Sequence, residues 1–314
     1  MRIIVAHHNP ASCQRWRDAL ARELPEAEVD IWGQGRAGSA DYAVAWTAPG
    51  KEFFEQHERL KAFFSTGAGV EKLLASADMP RSIPVIRLED AGMGAQMADY
   101  CVYSVLHWLR RRSEYGEQQR ARVWKQLLPA NDPADWPVGV FGLGVLGLQV
   151  ATAFCALGFS VNGFARSVHE HPRIRTFAEH GGAGDFAAFM RASRVLVIIA
   201  PLTPATQDLF NRETLALLPP SSYVINVARG GLLVEEDLLE LLNSGHLAGA
   251  ALDVFRQEPL PQDHPLWSHP KVRITPHVSA ITVIGPSARQ VAEKVRRLER
   301  AEAVSGVVDR SRGY

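Results

Sequence analysis

The chain has few cysteines, no excess of either charge and no long apolar run, and each shortage excludes something. Cys13, Cys101 and Cys155 are the only cysteines among 314 residues, and they lack Cys-x-x-Cys spacing. That argues against a disulfide framework and a zinc site, so no metal is expected, and it fits a reducing cytoplasm. Lysine plus arginine and aspartate plus glutamate number 34 each. Without a net field, neither nucleic acid nor an anionic membrane surface is expected as a partner. No apolar run approaches the ~20 residues that span a bilayer. Met1-Arg2 leads straight into Ile3-Ile4-Val5-Ala6, without the apolar region and cleavage site of a signal peptide. Internal repeats and low-complexity segments are also lacking.

What is present is a chain long enough for two domains of ordinary size, with 46% hydrophobic residues to bury. Strand-like runs at Arg2–Ala6, Val29–Trp32, Tyr42–Trp46, Lys61–Ser65 and Pro84–Ile86 alternate with amphipathic segments. This alternation predicts a parallel sheet with helices on its faces. A helix is expected over Gln96–Arg112, where Val102, Val105, Leu106 and Leu109 recur at helical spacing. Six further strands, Val138–Phe141, Phe159–Phe164, Val195–Ala200, Tyr223–Asn226, Ala250–Leu252 and Val272–Thr275, fit a second sheet. Pro129–Pro137 reads as a connection or hinge, and a charged helix over Pro286–Ala303 as a return to the first domain. The fold class is α/β, with two doubly wound parallel-sheet domains.

The most informative stretch is Val138-Gly139-Val140-Phe141-Gly142-Leu143-Gly144-Val145-Leu146-Gly147, an apolar strand opening into Gly-x-Gly-x-x-Gly and then a helix. Gly142 permits the tight turn, Gly144 lets backbone approach a pyrophosphate, and Gly147 lets the helix pack on its strand. The helix start, with Val145 and Leu146 in its first turn, offers N–H groups and a positive dipole end to the phosphates. The strand at Phe159–Phe164 completes a βαβ unit of ~30 residues. An NAD-selective site has an acid about 20 residues beyond the first glycines. Here the chain reads Ala165-Arg166-Ser167, with His169 and Arg173 nearby. Arg166 and Ser167 are therefore expected at a 2′-phosphate, which predicts NADPH as the preferred cofactor with NAD possible. The alternative is an ordinary solvated Arg166.

Three polar residues follow strands of the second sheet, where ligands gather in open α/β folds. Arg229 reads equally as a clamp for a substrate carboxylate and as a structural arginine satisfying turn carbonyls. His277, after Val272–Pro276, has the side chain best suited to proton exchange near neutral pH. A carboxylate at Glu258 beside it would orient the imidazole; alone, Glu258 is merely an exposed acid before proline. In the first domain, N–H groups of Ala68, Gly69 and Val70 could cradle a small carboxylate, or form an ordinary turn. Trp46 could wall a small pocket or serve packing.

Together, Gly142–Gly147, Asn226-Val227-Ala228-Arg229-Gly230, Leu252-Asp253-Val254-Phe255, Glu258-Pro259-Leu260 and Thr275-Pro276-His277 resemble the D-isomer-specific 2-hydroxyacid dehydrogenases. The resemblance runs over nearly the whole chain. It implies an Arg229-Glu258-His277 catalytic constellation, and a cofactor held also by Pro201, Leu202, Thr203, Ala228 and Asp253. It implies a Rossmann-type nucleotide domain over 99–280 and a flavodoxin-like substrate domain from 1–98 with 281–314, a cleft between them, and a homodimer. The expected substrate is a short 2-oxo acid, reduced to the 2-hydroxy acid: glyoxylate to glycolate, or hydroxypyruvate to D-glycerate. The alternatives are a dehydrogenase for a larger 2-hydroxy acid and a non-enzymatic dinucleotide-sensing protein.

Overall fold

In the computed structural model, residues 1–7, 9–34, 38–128, 132–166, 171–179 and 183–313 are described. They fall into two compact units, 1–93 with 282–314, and 94–281.

The first unit is built on β1 (Arg2–Ala6), β2 (Glu28–Ile31), β3 (Tyr42–Ala45), β4 (Ala62–Ser65) and β5 (Val85–Ile86). Their order is β2-β1-β3-β4-β5, and every pairing is parallel. All residues of β3 and β4 are buried, as a strand covered on both faces requires. Helix α1 (Pro10–Glu23) starts where the Asn9 side chain accepts the Ser12 N–H and Pro10 occupies the first turn, a good N-terminal signal. Short helices α2 (Lys51–Gln56) and α3 (Glu71–Leu74) follow β3 and β4. The chain returns through its last helix, Ile284–Glu299, which packs on α1, and Val307 bridges to Ile86 at the open edge of β5.

The second unit opens with α4 (Met93–Leu109) and α5 (Arg112–Arg120). The expected single helix to Arg112 instead ends at Leu109, because Arg111 takes a left-handed φ of 52° and separates the two. The sheet comprises β6 (Val138–Phe141), β7 (Val161–Ala165), β8 (Ile174–Ala178), β9 (Val195–Ile198), β10 (Ser222–Asn226), β11 (Leu247–Leu252) and β12 (Val272–Ile274). Its order is β12-β11-β10-β9-β6-β7-β8, again wholly parallel, with the order reversing at β6. Seven strands replace the six expected. The extra one, β8, is an edge strand, and exposed Arg175 breaks the apolar run that would have announced it.

Helices α6 (Val145–Ala156), α7 (Ala183–Arg191), α8 (Arg212–Leu215) and α9 (Glu235–Asn243) belong to this unit; the terminal helix of the first unit is α10. Phenylalanines dominate one face: Phe141 stacks on Phe164 at 5.3 Å between centroids and meets Phe210 edge-on at 5.0 Å. On the other face Val138, Val140, Val150, Ala151 and Phe154 pack with Cys101 and Val105 of α4. Both faces of β6 are therefore fixed, which holds the turn after it.

Candidate active site

The glycine-rich turn lies between β6 and α6. Gly142 has φ +112°, and a Cβ there would sit 2.9 Å from the Ala200 nitrogen, so only glycine fits without strain. At Gly147 a Cβ would lie 1.8 Å from the Gly142 carbonyl oxygen, which shows how tightly α6 is seated on its turn. Gly144 differs: a Cβ would meet nothing within 4 Å. It is the N-cap of α6, no side chain caps the helix, and Gly144 and Val145 are exposed. A bare helix start over open space suits a pyrophosphate, and a side chain at Gly144 would intrude there. Leu146 is half-buried in the same turn.

Arg166 follows β7 and is exposed. Ser167 and His169 lie outside the described residues. Arg173 stands elsewhere than expected. Val161 pairs with Ile174 and Ala165 with Ala178, so Arg173 precedes the amino end of β8 while Arg166 follows the carboxyl end of β7. About 13 Å of strand separates those ends.

His277 Nδ1 lies 2.8 Å from Glu258 Oε2, and Glu258 Oε1 accepts the Phe255 N–H at 3.0 Å. An ionised carboxylate only accepts, so Nδ1 carries the proton of this contact and the opposite ring nitrogen is left for other chemistry. Both side chains are partly exposed. His277 has φ +56°, unusual for a side chain of its size.

Arg229 sits in a turn after β10 that is locked by Asn226, whose side chain accepts the Ala228 N–H and donates to the Arg229 carbonyl. Arg229 Nη1 donates to the Ala228 carbonyl at 2.6 Å, one of the roles its sequence position suggested. Next to it, a Cβ on Gly230 would lie 1.9 Å from the Phe255 carbonyl carbon. The arginine turn and the loop that leads to Glu258 are thus pressed backbone to backbone. Ala228 is buried in the core. Pro201, Leu202 and Thr203 are half-buried in a turn where the Thr206 hydroxyl accepts the Thr203 N–H and donates to the Pro201 carbonyl.

Asp253 is 0% exposed. Oδ1 accepts from Thr275 Oγ1 at 2.6 Å and the Val278 N–H at 2.8 Å, and Oδ2 accepts the Ser279 N–H at 2.8 Å. Its carbonyl accepts the His277 N–H at 2.8 Å. One residue at the end of β11 therefore fastens the chain on both sides of His277. Sequence reasoning did not anticipate these fasteners, Thr275 and Ser279 among them.

In the first unit, Trp46 follows β3 and is 41% exposed. Its ring covers Gly67, where a Cβ would lie 2.4 Å from the indole. Ala68 and Gly69 are half-buried in the turn between β4 and α3. Among the described residues, no group of three or more His, Cys, Asp or Glu could hold a metal ion, and no helix is long and apolar enough to cross a membrane.

A doubly wound parallel sheet with a glycine-rich turn at its switch point, and a histidine–carboxylate pair on loops after its strands, defines a dinucleotide-binding α/β oxidoreductase. Residues 102–279 match the NAD binding domain of the D-isomer specific 2-hydroxyacid dehydrogenases, and the chain belongs to that family. It is 45% identical over 316 aligned positions, 99% of each chain, to glyoxylate/hydroxypyruvate reductase A of Klebsiella pneumoniae. A D-isomer specific 2-hydroxyacid dehydrogenase from Xanthobacter autotrophicus, solved in complex with NADPH and MES, is 36% identical over 99% of each chain, with a TM-score of 0.91. An NADPH-dependent glyoxylate/hydroxypyruvate reductase from Sinorhizobium meliloti, solved with NADP and sulfate, is 33% identical over 100% of this chain and 99% of its own, with a TM-score of 0.90.

Proposed function

We propose that this chain is an NADPH-preferring reductase of short 2-oxo acids, converting glyoxylate to glycolate and hydroxypyruvate to D-glycerate. The observation that carries the reading is the 2.8 Å contact of His277 with Glu258 in the unit that also holds the glycine-rich turn. A dinucleotide held by its pyrophosphate at that turn would supply a hydride from its reduced nicotinamide to C2 of the substrate. His277 gives a proton to the forming alkoxide from its Nε2 side, and Glu258 stabilises the imidazolium and fixes the ring. Arg229 holds the substrate carboxylate with its guanidinium fork. Gly142, Gly144, Val145, Leu146 and Gly147 present the backbone to the pyrophosphate, and Arg166, with Ser167, takes the 2′-phosphate. In this reading the first unit, 1–93 with 282–314 where the sequence suggested 1–98 with 281–314, forms the substrate domain, and Trp46, Ala68 and Gly69 line the small-acid site.

We also propose a homodimer. What supports it is that Val123, Trp124 and Leu128 are exposed along one segment after α5, Trp124 completely. The reading places the enzyme in the cytoplasm.

The decisive assay follows loss of reduced-nicotinamide absorbance with glyoxylate, hydroxypyruvate and phenylpyruvate, each with NADPH and NADH. Rapid NADPH-dependent turnover of the first two is expected. A clear preference for phenylpyruvate overturns the small-acid site, a preference for NADH overturns the role of Arg166, and cofactor binding without turnover overturns the enzyme.

A further inference from the structure

Two side chains one turn apart on α4, Gln96 and Tyr100, grip the two ends of the segment that carries His277. The Gln96 amide closes a two-way pair with Ile281: Nε2 donates to the Ile281 carbonyl at 2.9 Å, and Oε1 accepts its N–H at 3.1 Å. At the other end, the Tyr100 hydroxyl lies 2.7 Å from Thr275 Oγ1. Thr275 has one hydroxyl proton, and it goes to Asp253 Oδ1. The phenol must therefore be the donor to Thr275. Burial, with the Asp253 charge adding to it, pushes the Tyr100 hydroxyl up to about 12, so it keeps that proton.

The chain Tyr100 to Thr275 to Asp253 runs one way, and each bond polarises the next. It ends on a buried carboxylate that also takes the Val278 and Ser279 N–H groups. Between these anchors His277 stands at φ +56°, a left-handed conformation uncommon for a non-glycine residue though more open to histidine than to most. Freed of these anchors, the segment would hold the imidazole less firmly against Glu258.

We propose that Gln96 and Tyr100 are positioning residues for His277, acting through Ile281 at one end and through Thr275 and Asp253 at the other. This deepens the proposed function and rests on His277 being its proton donor.

The test uses the full chain with Tyr100→Phe, Thr275→Val, Thr275→Ser and Gln96→Leu. Three quantities are measured: kcat with glyoxylate, the NADPH dissociation constant by fluorescence, and backbone amide exchange of residues 275–281. Tyr100→Phe and Thr275→Val are each expected to lower kcat about tenfold, the scale of losing one buried hydrogen-bond partner. NADPH affinity should stay within about twofold, since neither variant alters the glycine-rich turn or replaces Asp253, which keeps the Val278 and Ser279 N–H groups. Exchange should quicken over 275–281 and not elsewhere in the unit. Gln96→Leu should quicken it at the Ile281 end, and Thr275→Ser, which keeps the hydroxyl, should restore most of the rate. An unchanged kcat in Tyr100→Phe overturns the proposal, as does a fall in kcat without faster local exchange. Losses of NADPH affinity and protection throughout the unit also overturn it, because they mark a general structural role. If the unaltered chain binds NADPH but reduces no 2-oxo acid, the proposed function falls, and local exchange alone still decides whether Gln96 and Tyr100 hold the segment.

Discussion

At the scale of single residues, proton transfer and cofactor choice separate cleanly. His277→Asn keeps a side chain that tolerates left-handed backbone but removes the proton donor. It should lower kcat by about 10²–10⁴-fold, the usual worth of a positioned acid, with NADPH binding unchanged by fluorescence titration. Arg166→Ala should raise the KM for NADPH by about 10–100-fold and leave that for NADH nearly constant, because a charge-assisted hydrogen bond to phosphate contributes about 1.5–3 kcal/mol. Steady-state kinetics with both cofactors checks this, and equal loss with each would remove Arg166 from the 2′-phosphate. From the residues alone Arg229, Glu258 and His277 each kept a structural alternative, and only the family likeness joined them; of the three, Glu258 and His277 are in hydrogen-bond contact. Asp253 was legible only as a position: its partners Thr275, Val278 and Ser279 come from another strand end, and no local pattern announces such a pairing.

At the scale of elements, the helix α6 and its turn offer the sharpest test, because their glycines face different surroundings. Gly144→Ala should leave thermal stability nearly unchanged, since its Cβ meets nothing, yet weaken NADPH binding by intruding on the phosphate path. Gly147→Ala should do the reverse first, lowering stability by about 1–3 kcal/mol as the Gly142 carbonyl is forced away. Thermal melts with and without NADPH distinguish the two. Interior strands were readable as apolar runs, and α6 by the motif before it. The edge strand β8 was not, because an edge tolerates arginine where a central strand does not. For α4 the apolar spacing located the helix and said nothing of the polar Gln96–Tyr100 face, since apolar periodicity does not report specific polar contacts.

At the scale of the whole molecule, charge ties the last helix to the first unit. Glu299 accepts from Lys61 and Tyr42, and the Lys61 contact first, then Tyr42, holds its carboxyl below the ordinary 4.5. A depressed carboxyl contributes stability above its unfolded value and loses it as pH falls through the folded one. Melting temperature should therefore drop on acidification below about pH 4.5 less steeply in Glu299→Gln than in the native chain, measured by calorimetry across pH 3–6. The proposed dimer is tested at the same scale: if Trp124 lies in its contact, Trp124→Glu should shift sedimentation from dimer toward monomer, and an unchanged profile removes Trp124 from it. The two-sheet architecture was legible from the alternation of strands and helices, and the return of the last charged helix to the first unit from its place after the sixth strand, with the family likeness adding the bounds. That partition also has a consequence for synthesis. Residues 94–281 form one uninterrupted stretch, whereas the unit that begins the chain lacks α10 and the Val307 bridge until its last residues emerge. On the ribosome, residues 94–281 should become protease-resistant before the amino-terminal sheet, which waits for α10 and Val307 to emerge.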